Sequence, residues 1–300
     1  MILIIGASGR LGKIVTRQLL EQHQPLRVMT RKPLALAHLE QQGVEVVEGD
    51  LRQPTSLMSA CHGIKQVVLV AHALLGTGGN TPQAVDGLGH RTLIDTAKAS
   101  SVEHIIFTSL RGASAEAPLE FFRIKYETEV YLRASNMRFT IFRPSPFMEL
   151  WAEIIGQPLL EKGKTMIFGR GNNPINFVSV EDVARYICLA LTDARAANAV
   201  IEVGGPANLT LSQVAACFER MSDITPKNQH LPLQMMRFMA LILPTVSPTL
   251  SRQIGMGIYM DTANLSYDMT ETAHIFGIPM TTMDEVAQRL AKQVHSAATV

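Results

Sequence analysis

The chain is short of several things at once. It has three cysteines, Cys61, Cys188 and Cys217, and no C-x-x-C pair. No disulfide framework or zinc ribbon is expected, and this usage fits a reducing, cytoplasmic setting. No apolar run approaches the about 18 residues that span a bilayer. The first run, MILIIGAS, lacks a basic flank and breaks at Gly6, so neither a leader nor a transmembrane segment is expected. Charge is scarce too: 18% of residues are charged, and 27 Lys and Arg face 26 Asp and Glu. That balance excludes a disordered, solvated chain. It also argues against direct nucleic-acid binding, which needs a basic face to neutralise phosphates. What is present is apolar: 47% hydrophobic residues, 15 of the 300 being Met. A chain of this length makes one large domain or two modest ones.

In the first half, short apolar runs alternate with helical spacing. Residues 2–5 form a β-branched run ending at Gly6, after which Leu11, Val15, Leu19 and Leu20 recur at helical intervals. Further runs lie at 27–29, 44–47, 67–70, 104–108 and 139–142, and a helix is expected over 85–99. Continuously apolar strands separated by helices predict a sheet covered on both faces, hence parallel strands with right-handed crossovers. After Arg143-Pro144 the pattern loosens. A strand at 165–168, a helix at 180–191, a strand at 200–203 and a helix at 211–221 with Thr210 near its N-cap are expected. The fold class is α/β: a doubly wound parallel sheet in residues 1–145, with 146–300 as a small α+β cap. No clean linker separates the two, so one interleaved structural unit is expected.

The sharpest signal is Gly6-Ala7-Ser8-Gly9-Arg10-Leu11-Gly12, directly after a strand and opening a helix. In that context Gly6 permits a tight turn, Gly9 lets backbone approach a pyrophosphate and Gly12 packs helix on strand. Ser8, Gly9, Arg10 and Leu11 bring free amides of the helix N-terminus to the phosphate charge. The second strand ends Met29-Thr30-Arg31-Lys32, without the carboxylate that binds a ribose 2′-hydroxyl. Arg31 can grip a 2′-phosphate, with Arg10 adding a second positive group. NADP(H) is therefore expected, with NAD(H) less favoured; the alternative for Arg31 and Lys32 is a pair of solvated loop charges. Asp50 and Leu51 close the third strand, where Asp50 can accept from an adenine amino group and Leu51 can pack on the ring, or Asp50 can simply cap a turn before Pro54. Ala71 and His72, ending the fourth strand, are expected beside the nicotinamide ribose, His72 more as a loop histidine than as a base.

These residues resemble the short-chain dehydrogenase/reductase superfamily, and within it the atypical, NmrA-like branch. The resemblance covers most of residues 1–220: the glycine loop, Gly49-Asp50-Leu51, Thr108-Ser109, Lys125 with Glu129, Arg143-Pro144, and Phe177 through Ala184. It implies a Rossmann-type core, with Pro144 also at the cofactor. The chain is also similar to photosystem-assembly and complex I accessory members, and it shares Phe276-Gly277-Ile278-Pro279 with quinone and triphenylmethane reductases. Catalytic members of the superfamily use Ser, Tyr and a Lys four residues after the Tyr. Here Ser109 and Lys125 match, but Phe121 stands where the Tyr should be. A phenyl ring has no ionisable proton. Tyr126 is adjacent to Lys125, but adjacent residues on a helix point about 100° apart, so it is a poor substitute. Two functions follow from the resemblance. One is hydride transfer to an apolar acceptor such as a quinone, with Lys125 assisting as in the isoflavone-type reductases. The other is a non-catalytic NAD(P)-binding regulator or assembly factor.

Two apolar features complete the picture. Phe147 and Trp151 follow Arg143-Pro144 and are expected to line a substrate cleft, although core packing explains them equally well. Residues 231–260 are Met-rich and apolar, and the helix at 233–243 is expected to be buried as a cap, or else to face a protein partner. The sequence leaves the oligomeric state open and shows no metal-ligand spacing.

Overall fold

A computed structural model describes residues 1–222 and 226–298. The strands are β1 (Ile2–Ile5), β2 (Leu26–Thr30), β3 (Glu45–Glu48), β4 (Gln66–Leu69), β5 (His104–Thr108), β6 (Arg138–Pro144), β7 (Lys164–Phe168), β8 (Ile175–Asn176), β9 (Ala199–Val203), β10 (Asn208–Leu209) and β11 (Lys227–Leu231). Early helices are α1 (Arg10–Glu21), α2 (Ala37–Glu40), α3 (Pro54–Cys61), α4 (His90–Ala99) and α5 (Glu120–Ala134). Later ones are α6 (Met148–Trp151), α7 (Gln157–Lys162), α8 (Val180–Ala190), α9 (Leu211–Glu219), α10 (Leu233–Val246), α11 (Pro248–Thr262), α12 (Thr270–Phe276) and α13 (Met283–Ala298). The chain divides into two compact units: Met1–Pro144 with Val183–Val203, and Ser145–Asp182 with the chain from Gly204 onward.

The first unit holds a seven-stranded sheet in the order β3-β2-β1-β4-β5-β6-β9. All its pairings are parallel; Ile2 of β1, for example, sits opposite Leu26 of β2 on one side and Gln66 of β4 on the other. The chain builds outward from β1 to β3 and then returns to β4 on the other side of β1. The strand order thus reverses between β1 and β4, the place where doubly wound sheets bind ligands at the carboxyl ends of their strands. All four residues of β1 are buried, as burial on both faces requires. Leu3, Ile5, Leu57, Val67, Leu69, Leu93, Ile105 and Phe107 form one continuous apolar cluster on one side of it.

One helix departs from its expected form. Residues 85–99 are not a single α-helix: Gln83–Gly89 is a π-helical segment, and α4 begins only at His90. Two glycines, Gly87 and Gly89, fall inside the widened turns. Such π segments are uncommon and gather at functional sites.

The second unit is a mixed assembly of helices around two small sheets, antiparallel β10-β8 and parallel β11-β7. Its core joins Trp151, Ile155, Leu159, Phe177, Leu211, Phe218, Met260 and Val286. Thr210 caps α9 with a reciprocal pair, its hydroxyl accepting from the Gln213 amide while Gln213 accepts from the Thr210 amide.

The apolar helix at 233–243 is not buried. Along α10 only Met236 is fully enclosed, while Phe238 is 63%, Leu241 82% and Val246 74% exposed. The reason is local. α10 forms a hairpin with α11 through Met236, whose Cε would lie 2.6 Å from a Cβ on Gly257. Met235, Phe238, Leu241, Ile242 and Val246 therefore form an outward stripe. Among the described residues no helix is long and apolar enough to cross a membrane.

Candidate functional site

The carboxyl ends of β1 and β4 meet at a glycine cradle. Gly6 takes φ +102°, and a Cβ there would lie 2.6 Å from the Ala71 amide nitrogen. A Cβ on Gly12 would stand 2.1 Å from the Gly6 carbonyl oxygen. Only glycine lets β1, the α1 start and the β4 exit approach this closely. The turn is closed by the Gly9 amide donating to Gly6 O at 3.0 Å, and Ala71 donates to Ile5 O at 3.0 Å. Ala7, Leu11 and Gly12 face inward, whereas Ser8, Gly9 and Arg10 lie at the surface. α1 starts at Arg10 with no side-chain cap and no acidic residue in its first turn. That turn therefore holds neither a capping side chain nor a carboxylate that would oppose an anion.

Beside the cradle, two arginines hold one loop. Arg31, exposed at the end of β2, donates from Nη1 to Asn80 Oδ1. Arg52 donates from Nη1 to Gly79 O at 2.9 Å. Asp50 fixes Arg52: its Oδ1 accepts from the Arg52 amide and from Nε, both at 2.9 Å, and its Oδ2 accepts from Nη2. Those bonds outweigh the opposing effect of burial, and with the Arg31 charge they hold the Asp50 carboxyl below the usual carboxylate range. The expected adenine acceptor is thus engaged with Arg52, a residue without any local signal in the sequence. Leu51 is buried in the sheet's apolar cluster.

The buried centre lies on α5, β5 and the π segment. The Lys125 side chain is only 3% exposed and Asp86 is wholly buried; Lys125 Nζ stands 2.9 Å from Asp86 Oδ1. The ammonium also donates to Thr108 O at 3.2 Å. Asp86 Oδ2 accepts from the Ala73 amide at 2.8 Å, and the Asp86 carbonyl accepts from the Thr128 hydroxyl at 2.8 Å. Burial pushes the Asp86 carboxyl up, but Lys125 and the hydrogen bonds outweigh it and leave its pKa lowered. The Phe107 and Phe121 ring centroids lie 4.9 and 5.6 Å from Lys125 Nζ. Phe121 itself is buried and contributes no polar atom.

Two histidines flank this centre. His90 is completely enclosed, edge-on to Phe107, and neither ring nitrogen makes a well-aligned hydrogen bond. Burial, and then the Lys125 charge, push its pKa down to about 3, so it is neutral. His72 keeps an accessible side while its ring meets Phe121 edge-on at 6.3 Å. The atoms crowding it, and then Lys125, lower its pKa. Ser109 donates its amide to Phe142 O at 2.8 Å, but its buried hydroxyl has no partner among the described residues. Behind it Arg143 grips Glu129 with Nε at 2.9 Å and Nη2 at 2.6 Å, and Arg111 pairs with Glu202 at 3.1 Å. Pro144 is buried there and accepts from the Arg111 amide at 3.0 Å. The first pair ties the end of β6 to α5, and the second ties β9 to the segment that follows β5.

The remaining predicted residues lie in the second unit. Trp151 is a core residue, edge-on to Phe168 and Phe177 at 6.3 and 6.1 Å. Phe147 is half-buried and pairs its backbone with Val178. The cysteines are buried, with burial raising the Cys61 thiol to about 11 and Cys188 to about 12, so neither is a ready nucleophile. Among the described residues no cluster of His, Cys, Asp or Glu could hold a metal.

A dinucleotide fits this donor set. A cradle that a Cβ would fill faces uncapped helix amides for the pyrophosphate, and Arg31 stands where a 2′-phosphate would be met. The fold and site together define a doubly wound dinucleotide-binding protein with a buried lysine. The NmrA-like family model matches residues 1–276, and the chain belongs to that family. It is 30% identical to photosystem II assembly factor Ycf39 of Cyanophora paradoxa over 235 residues, 77% of this chain and 72% of that one. It is 26% identical to the NAD(P)H azoreductase of Xenophilus azovorans, with 99% of each chain covered. Its fold is similar to the NADPH-dependent quinone oxidoreductase of Escherichia coli complexed with NADPH, at TM-score 0.79 and 26% identity over 97% of this chain and 99% of that one.

Proposed function

We propose that this chain is an NADPH-dependent reductase of a flat, apolar acceptor such as a quinone. The observation that carries this reading is the Lys125 ammonium, held beside Phe121 where a phenol would otherwise stand. Gly6, Gly9, Gly12 and the α1 amides receive the pyrophosphate, and Arg31 receives the 2′-phosphate in exchange for Asn80. When bound, NADPH supplies the hydride. Lys125 donates a hydrogen bond toward the cofactor ribose or the acceptor oxygen and keeps positive charge where negative charge develops. Phe107 and Phe121 keep water from the ammonium, which strengthens that charge. Ser109 offers an unpartnered hydroxyl beside the same strand end.

The missing phenol selects the acceptor. A simple ketone needs a proton near the carbonyl oxygen as hydride arrives. A quinone delocalises the negative charge and takes its protons from solvent, so it needs no such acid. The test is stopped-flow oxidation of bound NADPH against quinones, azo dyes and simple ketones. Rapid oxidation by quinones with slow oxidation by ketones is expected; robust ketone turnover, or no oxidation by any acceptor, overturns the reading.

The exposed stripe of α10 favours a second reading, an NADPH-bound assembly factor that meets a protein through Phe238, Leu241 and Val246. Under it, NADPH binds but no acceptor oxidises it. Capture of a partner by the wild type and not by Phe238→Glu distinguishes the two.

A further inference from the structure

We propose that Asp86 is the positioning residue of Lys125, fixing the ammonium and the loop leaving β4 with one buried carboxylate. The proposal deepens the reductase reading, because the function of Lys125 rests on it.

The two carboxylate oxygens do different work. Oδ1 faces Lys125 Nζ at 2.9 Å, while Oδ2 accepts from the Ala73 amide at 2.8 Å. The Asp86 carbonyl is held in turn by Thr128, one turn after Lys125 on α5. The carboxylate therefore cannot swing away from the lysine without breaking the β4 exit loop, which carries His72. Lysine has three ammonium protons. One goes to Thr108 O and the Asp86 charge balances the cation. Among the described residues no further acceptor meets Nζ, so a proton remains for a ligand.

The local backbone makes this arrangement possible. In a regular α-helix over 85–99, successive turns would follow a fixed 3.6-residue register. The π segment Gln83–Gly89 interrupts that register ahead of α4 and delivers Asp86 fully buried. A buried lysine without a counter-charge is strongly disfavoured. Other charged or titratable groups around the ammonium do not replace Asp86. His72 and His90 are both pushed toward the neutral form, and Glu129 on α5 is taken by Arg143.

The test combines a cofactor-binding cycle with a probe that needs no cofactor. Wild type, Asp86→Asn, Lys125→Met and the double variant are titrated with NADPH. Each single variant is expected to weaken binding about tenfold, the scale of a lost charged hydrogen bond. The double variant should bind no worse than Lys125→Met, because Asp86 acts through Lys125. Separately, lysine labelled with ¹³C at Cε is followed by NMR in the ligand-free protein, with the Lys125 signal assigned by its loss in Lys125→Met. That signal should be sharp and displaced in the wild type, revert toward the exposed lysines in Asp86→Asn, and recover in part in Asp86→Glu. Multiplicative losses in the double variant, or a Lys125 signal indifferent to Asp86→Asn, overturn the proposal. If the wild type binds no NADPH while the Lys125 signal still follows Asp86, the reductase reading fails and the positioning role stands.

Discussion

Arg31 is the handle on cofactor choice, and its magnitude can be worked out from its contacts. A 2′-phosphate at Arg31 gains charge-assisted hydrogen bonds worth about 1.5–3 kcal/mol. Arg31 is exposed, so solvent screening pulls that figure to its lower end. Before binding, Arg31 must release Asn80 Oδ1, which costs about 0.5–1 kcal/mol for a neutral acceptor. The difference is about 0.5–1 kcal/mol, roughly a two- to fivefold preference for NADPH over NADH from this residue. Arg31→Ala should erase that preference and leave NADH affinity within about twofold of wild type. Asn80→Ala should move the other way, tightening NADPH about threefold by removing the competing acceptor. Calorimetric titration with both nucleotides at low and high salt is the assay, and the preference should shrink as salt rises. Equal affinities in the wild type, or equal weakening of both nucleotides in Arg31→Ala, would refute the reasoning.

Four further outcomes are expected. Phe121→Tyr should not lower ketone reduction, measured by steady-state NADPH consumption; a fall would mean that the phenyl ring itself is needed. Gly12→Ala places a Cβ 2.1 Å from Gly6 O, a clash that only a backbone shift relieves, and should destabilise by about 2–3 kcal/mol in urea unfolding. His90, whose pKa is pushed down to about 3 by burial, is neutral when folded and protonates near 6.5 when unfolded. The unfolded chain then binds more protons, so stability is full above about pH 6.5 and falls as the pH drops toward 3. His90→Gln should flatten that slope in urea midpoints taken across the range. On α10, Leu241→Glu should change stability by less than about 0.5 kcal/mol, whereas Met236→Ala should cost about 2–4 kcal/mol, again by urea unfolding.

The parallel sheet was legible because its strands are apolar on both faces. A run such as Val67, Val68 and Leu69 has few alternatives once it stands between helical spacings. The glycine cradle was legible because its residues are contiguous and each spacing has one steric reason. The pairing of Asp86 with Lys125 was not, because the residues lie on different elements and nothing local to Asp86 announces a partner on α5. The signal that was there is Gly87 and Gly89 inside an expected helix, an unfavourable choice unless the turn is special. Asp50 illustrates the same limit: its position at the end of β3 was clear, but Arg52 two residues on takes both oxygens. The apolarity of α10 was evident from composition, yet apolarity alone does not say whether protein covers a face. Only the hairpin with α11, closed through Met236 and Gly257, shows that the stripe points outward.

Phe121 and Asp86 are two sides of one arrangement. A lysine placed to act on a tyrosine shares its charge with that phenol whenever the phenol ionises. With Phe121 there is no phenolate, and the Lys125 cation sits between two aromatic faces that attract it only weakly. Aromatic contact of that size does not balance a cation buried to 3% exposure. The balance must come from a full negative charge, and Asp86 is the buried carboxylate in contact with Nζ. It follows that restoring the phenol does not by itself restore acid–base chemistry. In Phe121→Tyr the ammonium is already held by Asp86 and Thr108, so the new hydroxyl meets a cation whose orientation is set. Carbonyl reduction should therefore not rise with Phe121→Tyr alone. A large gain from Phe121→Tyr alone would mean that Asp86 does not constrain the lysine.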